Sequence, residues 1–266
     1  MKKYLKFIQI AFKDRLAYRV EYFFGVVGFF FLFLAQLFVW RSLLGQSQQA
    51  ASNSGVVTLK EMTTYVFVVM IVGIFMRNNI IENMSIRIRN GLIAMDLIKP
   101  INFKTYLFSD MIGKSFFNFL FQLLPVLALG LIFLRINYPT VPNFLLFCVT
   151  VAGSMVIMFL LSFTLGLLAF WYQSMWQLNA LLWAFISLFS GMYIPLWFFP
   201  KMLVGISNFL PFRLMYFVPI SVFLGKVGLV DCLYMLLQQF LWIVGLFILS
   251  RLMWRTAIKK LVIQGG

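Results

Sequence analysis

The chain contains no histidine, and only 7 acidic residues stand against 22 lysines and arginines. Without imidazole, the common zinc ligand sets, Ser-His-Asp hydrolysis and histidine proton shuttles are all out of reach. The two cysteines, Cys148 and Cys232, lie in apolar stretches without CxxC spacing, so they read as packing residues and not as redox or metal centres. Ionisable residues are also missing from the middle of every long apolar run: Glu21, Glu61, Asp110, Lys114 and Asp231 all fall near run ends. A proton-coupled carrier generally places a relay at that depth, so the energy for any transport has to come from another chain. Nor is there a G-x-x-x-x-G-K-[ST] phosphate loop or a polar stretch of nucleotide-domain size.

What remains is apolar. Of 266 residues, 63% are hydrophobic and 19% aromatic, including 33 phenylalanines, whereas soluble domains average ~45–50% apolar. The apolar runs reach the ~20 residues a helix needs to cross hydrocarbon, and the alternation of barrel strands is absent. The expected fold is therefore an all-α integral membrane protein. A net charge of +15 sits in clusters beside the apolar runs, which fits lipid headgroups and topology and not nucleic acid.

Residues 1–20 read as a basic amphipathic helix, with Leu5, Ile8, Phe12 and Leu16 on one stripe and Lys2, Lys6, Gln9 and Lys13 on the other. Its charges forbid spanning, and it lacks the pattern of a signal peptide, so it is expected to lie in the interface as an elbow. Residues 21–266 form one domain with six spans expected at 22–44, 61–80, 110–134, 143–170, 178–193 and 231–250. Between 194 and 230, Pro195, Pro200, Pro211 and Pro219 leave no unbroken piece of ~20 residues. Short re-entrant or interfacial helices are predicted there, with these prolines and Phe212 forming an outer gate. Sixteen of the 22 cations fall on the side that holds both chain ends, which places the ends in the cytoplasm.

The longest basic interruption, 82–106, lies between the second and third spans. Met84, Ile88, Leu92 and Met95 recur at three- and four-residue steps, predicting a helix with one apolar face. Pro100 should end it. Such a helix either lies on lipid or docks into a partner.

These residues resemble a known family. Arg89-Asn-Gly91 followed by Ile98-Lys-Pro100 is similar to the inner loop of the type-2 ATP-binding-cassette (ABC) exporter permeases. Gly191, Tyr193-Ile-Pro195-Leu196, Phe199-Pro200, Leu210-Pro-Phe212, Pro219 and Leu224-Gly225 resemble the late pattern of its branch of small six-span bacterial permeases, similar to drug and viologen exporters. Leu92 departs from the family pattern, which often has an acidic or small polar residue there. The resemblance implies that 82–106 is a coupling helix entering a cleft of a cytosolic ABC ATPase. Its contacts would come from Met84, Arg87, Ile88, Arg89, Gly91, Leu92, Met95, Asp96, Lys99 and Pro100. It also implies a separate ATPase dimer carrying ATP and Mg, a second permease chain, identical or related, and a place in the bacterial inner membrane.

Candidates for the substrate path are Gln36, Gln122, Trp183, Phe185, Phe189, Met192, Tyr193 and Trp197. For polar residues within spans, hydrogen bonding between helices is the competing use. The alternatives to an ABC permease are a stand-alone channel or secondary carrier, a membrane-embedded enzyme, for which no catalytic set is present, and a membrane scaffold.

Overall fold

A computed structural model of the chain describes residues 2–17, 19–45, 49–52, 55–133, 136–172 and 174–260. About 81% of the chain is helical. Helix α1 (Lys2–Ala17) leads into α2 (Arg19–Leu44). The polar stretch after α2 contains a small antiparallel hairpin, β1 (Gln49–Ser52) with β2 (Gly55–Thr58), in the register Gln49 to Thr58 and Ser52 to Gly55. The β-branched run Val56-Val57-Thr58 favours that extended backbone. Thr58 then caps α3 (Leu59–Met76) in a capping box with Glu61.

Helix α3 is the axis of the bundle: from Tyr65 to Ile74 every residue is buried. It breaks at 77–79 and resumes as α4 (Ile80–Arg89), with Asn78 Oδ1 accepting from the Ile80 amide at 3.2 Å. A turn at Asn90 and Gly91 leads to α5 (Leu92–Ile98), which stops before Pro100. Asn102 caps α6 (Phe103–Asn118), its Oδ1 accepting from the Thr105 amide at 3.1 Å.

A π-helical segment (Phe119–Leu123) joins α6 to α7 (Leu124–Phe133). Pro125 has no N–H to give the carbonyl of Phe121, and the wider spacing falls at that point. Helix α8 (Val141–Gly166) ends in a 3₁₀ turn (Leu167–Phe170) and is followed by α9 (Trp176–Phe189). The predicted broken region is present: a 3₁₀ turn (Leu196–Phe198), α10 (Lys201–Phe209), a second 3₁₀ turn (Phe212–Leu214) and α11 (Phe217–Phe223). The axis bends by 81° between α10 and the stretch Phe212–Phe223. Helix α12 (Leu229–Ile258) closes the chain and outruns the expected 231–250 by two turns. Among the described residues, four helical stretches are long and apolar enough to cross a membrane, or five if the bent pair counts as one.

Helix α1 packs along α6, with Phe7 against Tyr106 and Phe12 against Phe117 at ring distances of 4.9 and 5.6 Å. Leu5 and Leu16 of the anticipated apolar stripe stay exposed, while Ala11 is buried. The close crossing is made by Gly113: a Cβ there would lie 2.4 Å from the Ile8 carbonyl oxygen and 2.8 Å from Ala11 Cβ.

The broken region leaves peptide carbonyls without helical partners, and side chains from the continuous helices supply donors. Tyr65 on α3 donates to the Gly191 carbonyl at 2.6 Å, and Gln36 on α2 to that of Met192 at 3.4 Å. Gln239 on α12 donates to the Leu214 carbonyl at 3.1 Å, with Ser154 of α8 lying 2.7 Å from the same oxygen. The Phe217 amide returns to the Ser190 carbonyl at 2.9 Å.

Two outcomes follow. Gly113→Ala forces α1 away from α6, a steric cost of roughly 1–3 kcal/mol for an overpacked contact, and limited trypsin digestion should cut at Lys6 and Lys13 faster than in the wild type. Tyr65→Phe leaves the buried Gly191 carbonyl unpaired and should cost about 1–3 kcal/mol, seen as a lower thermal midpoint in detergent.

Candidate functional site

Below the end of α3, α4 and α5 form a hook. Gly91 has φ of 70°, and nothing lies within 4 Å of the position its Cβ would take. An L side chain is strained in that conformation, so the chain reverses there, and the continuous apolar face expected from Met84 to Met95 is divided between two helices. The halves differ in exposure. Met84 is fully buried on α8, where a Cβ on Gly166 would meet its sulfur at 2.7 Å. Ile88 is half-buried against the core. Leu92, Met95 and Ile98 on α5 are 43%, 65% and 84% exposed. Spaced at three residues, they form an apolar ridge pointing away from the bundle.

Asp96 is 5% exposed. Its Oδ2 accepts from Arg87 Nη1 at 2.5 Å and its Oδ1 from Lys99 at 2.8 Å. Arg87 also lies over the Tyr106 ring, 5.7 Å from its centre. These groups clip α5 to α4 and the hook to α6. Of Arg87, Arg89, Asp96 and Lys99, the charged residues expected to meet the partner, Asp96 has its carboxylate engaged inside the hook. Met84 likewise anchors α4 and is not presented outward. Arg89, Gly91, Lys99 and Pro100 are exposed. Ile98, the most exposed residue of the ridge, lies outside the expected apolar face from Met84 to Met95, although it continues that spacing by a three-residue step.

Between α4 and the start of α9 lies a cleft of about 230 Å³, lined by Glu82, Ser85, Arg89, Trp176 and Asn179 among others.

The anticipated path residues do not converge on one cavity. Gln122 is buried in the π segment. Phe185 stacks on Phe189 and on Phe212, at 6.1 and 5.8 Å. Trp183 is half-buried and Tyr193 exposed. Trp197 is buried between Tyr65 and Phe217, at 5.3 and 5.5 Å, with Lys226 Nζ 4.4 Å above its ring. Gln36 and Met192 meet in the hydrogen bond already described. Of the prolines expected to form a gate, Pro195, Pro211 and Pro219 are buried and Pro200 is exposed. Arg213 beside them is buried, donating to Asn208 and, at 2.8 Å, to Gln238. Among the described residues no group of three His, Cys, Asp or Glu side chains is placed to hold a metal ion.

The model of the "ABC-2 family transporter protein" family matches residues 26–265. Neither the search of curated proteins nor that of solved structures finds a match. With several helices fit to cross a bilayer and a family match over nearly its whole length, the chain belongs to the ABC-2 transporter family: a multi-pass membrane permease component of an ABC transporter, and a transport subunit rather than an enzyme.

Proposed function

We propose that this chain forms the substrate path of an ABC exporter and receives its power stroke through the hook at 80–98. The observation that carries this reading is the ridge of Leu92, Met95 and Ile98, held rigidly by the Asp96 clip and left exposed beneath the bundle. An apolar ridge flanked by Arg89 and Lys99 suits insertion into a protein groove, where apolar anchors supply affinity and rim charges supply register. The groove belongs to a separate cytosolic ATPase, which binds ATP and Mg. Two ATPase chains pair with this permease and a second permease chain, identical or related.

On this reading the chain has six spans, formed by α2, α3, α6–α7, α8, α9 and α12, with both ends in the cytoplasm and the whole in a bacterial inner membrane. Helix α9 has 14 residues, ~21 Å of helix at 1.5 Å per residue. It crosses ~30 Å of hydrocarbon only together with the broken segment that follows it, and that segment with its prolines and Phe212 is the outer gate. The cleft between α4 and α9 is the inner mouth of the path.

Co-expression with the cognate ATPase tests the assignment. Met95→Asp with Ile98→Asp should abolish stoichiometric co-purification while leaving the permease monodisperse, because a carboxylate on each anchor opposes burial. Gly91→Trp should retain some ATPase but separate hydrolysis from transport in proteoliposomes. Full transport by either variant, or transport by the permease without any ATPase, overturns the reading. Asp96→Asn, which weakens two charge-assisted bonds worth about 1.5–3 kcal/mol each, should raise hydrogen exchange across 87–99 before it alters the rest of the bundle.

A further inference from the structure

The structure holds a second polar cavity, apart from the cleft between α4 and α9. It has a volume of about 350 Å³ and lies where the last turn of α1, the 77–79 break and α6 meet. That volume is within the ~300–1,000 Å³ of small-molecule sites. Its walls carry the cations Arg15, Arg77 and Lys114, the carboxylates Asp14 and Asp110, and four asparagine amides. Lys114 and Asp110 pair one turn apart at 2.6 Å. Counted together, the walls hold one positive charge in excess, with two guanidiniums whose fork geometry suits phosphate oxygens.

The level of this cavity bears on which anion it suits. The apolar run of α3 ends at Met76, immediately before Arg77, and the apolar run of α6 and α7 begins just after Lys114. The cavity therefore sits at the water–hydrocarbon boundary on the hook side, an assignment that rests on the span reading above. Further along the same helical stretch, past Lys114, Phe116, Phe121 and Leu124 are exposed, and Leu16 is exposed beside Arg15. A polar cradle continued by an apolar face matches the two parts of a phospholipid, and basic pockets at this level are suited to lipid headgroups.

We propose that this cavity binds the phosphodiester of an inner-leaflet phospholipid, with the acyl chains along Phe116, Phe121 and Leu124. Such a lipid ties α1 to the break between α3 and α4, next to the hook.

The test is native mass spectrometry of the full-length protein in detergent, titrated with phosphatidylglycerol. The wild type should retain one lipid per chain. Arg15→Gln with Arg77→Gln should weaken that retention about tenfold, in keeping with the loss of charge-assisted hydrogen bonds, whereas Arg251→Gln should leave it unchanged. Asp14→Asn should tighten it, because the carboxylate opposes an anion; this variant keeps the test open if the double variant does not fold. Unchanged retention in the double variant overturns the proposal, as does weaker retention in Asp14→Asn, the mark of a cation site. Displacement of the lipid by an equal concentration of inorganic phosphate would assign the cavity to free phosphate and overturn the lipid. None of these readouts needs the ATPase, so failure here is separable from failure of the coupling assignment.

Discussion

A peptide carbonyl in hydrocarbon must find a donor inside the protein, since no water is there to supply one and each orphan costs several kcal/mol. The stretch from Ser190 to Lys226 breaks its helix repeatedly, and its positions are dictated by where donors can be found. Tyr65 on α3 holds the Gly191 carbonyl, and Gln239 with Ser154 holds that of Leu214. This accounts for the scarce polar residues of the long helices better than a polar path does. Ser154 and Gln239 are buried and turned toward backbone, and Gln36 serves Met192 in the same way. The continuous helices thus act as a frame, and the irregular segment is shaped by it.

The hook obeys a different constraint. Three charged groups with one carboxylate at their centre would be a poor stability device at the surface. Here the carboxylate is shielded, and the pairing spans Arg87, Asp96 and Lys99 across a left-handed turn that only glycine adopts without strain. The result is a short helix, α5, held at a fixed angle to α4. Its own seven residues are too few for independent helical stability, so the clip is what makes the ridge of Leu92, Met95 and Ile98 a shape and not a tail.

Much of this was legible in the residues. Hydropathy located the apolar body of the long helices but not the ends of α6 and α12, which run about two turns further, the prolines marked the broken region, and Pro100 marked the end of the hook. What hydropathy did not carry was backbone handedness and who faces whom. The three- and four-residue spacing from Met84 to Met95 is continuous in one dimension, yet Gly91 turns the chain between Ile88 and Leu92, which sends Met84 inward to Gly166 and Met95 outward. Asp96 looked like one more exposed charge, because nothing local announces that its partners lie nine residues back and three ahead. The hairpin at 49–58 was hidden by its polar composition, and the end of α9 at Phe189 by the apolar residues that continue beyond it. For the candidate path, residue type alone carried no information on neighbours: the fold puts Gln122 in the π segment, Phe185 against Phe189 and Phe212, and Trp197 between Tyr65 and Phe217.

On the proposed coupling, the attachments of the hook decide which helices feel a push on α5. Helix α4 continues α3 through a three-residue break and packs on α8 through Met84. Arg87 reaches Tyr106 on α6, and two residues earlier Lys104 donates to Ser250 of α12 at 2.6 Å, under the ring of Phe247. Displacing the hook therefore loads α3, α6, α8 and α12 together, as one packed frame. Helix α9 is joined differently: its chief contacts are with α4 near its start and with the Phe212–Leu214 turn further along. It ends at Phe189, and two residues on, at Gly191, φ is 79° and the Tyr65 hydroxyl closes the bend. A frame that moves as a unit against a short helix pinned at two places changes the cleft between α4 and α9 before it changes anything inside the frame. Because the far pin of α9 is the broken segment itself, the same displacement reaches the Pro195–Phe212 region without crossing the core.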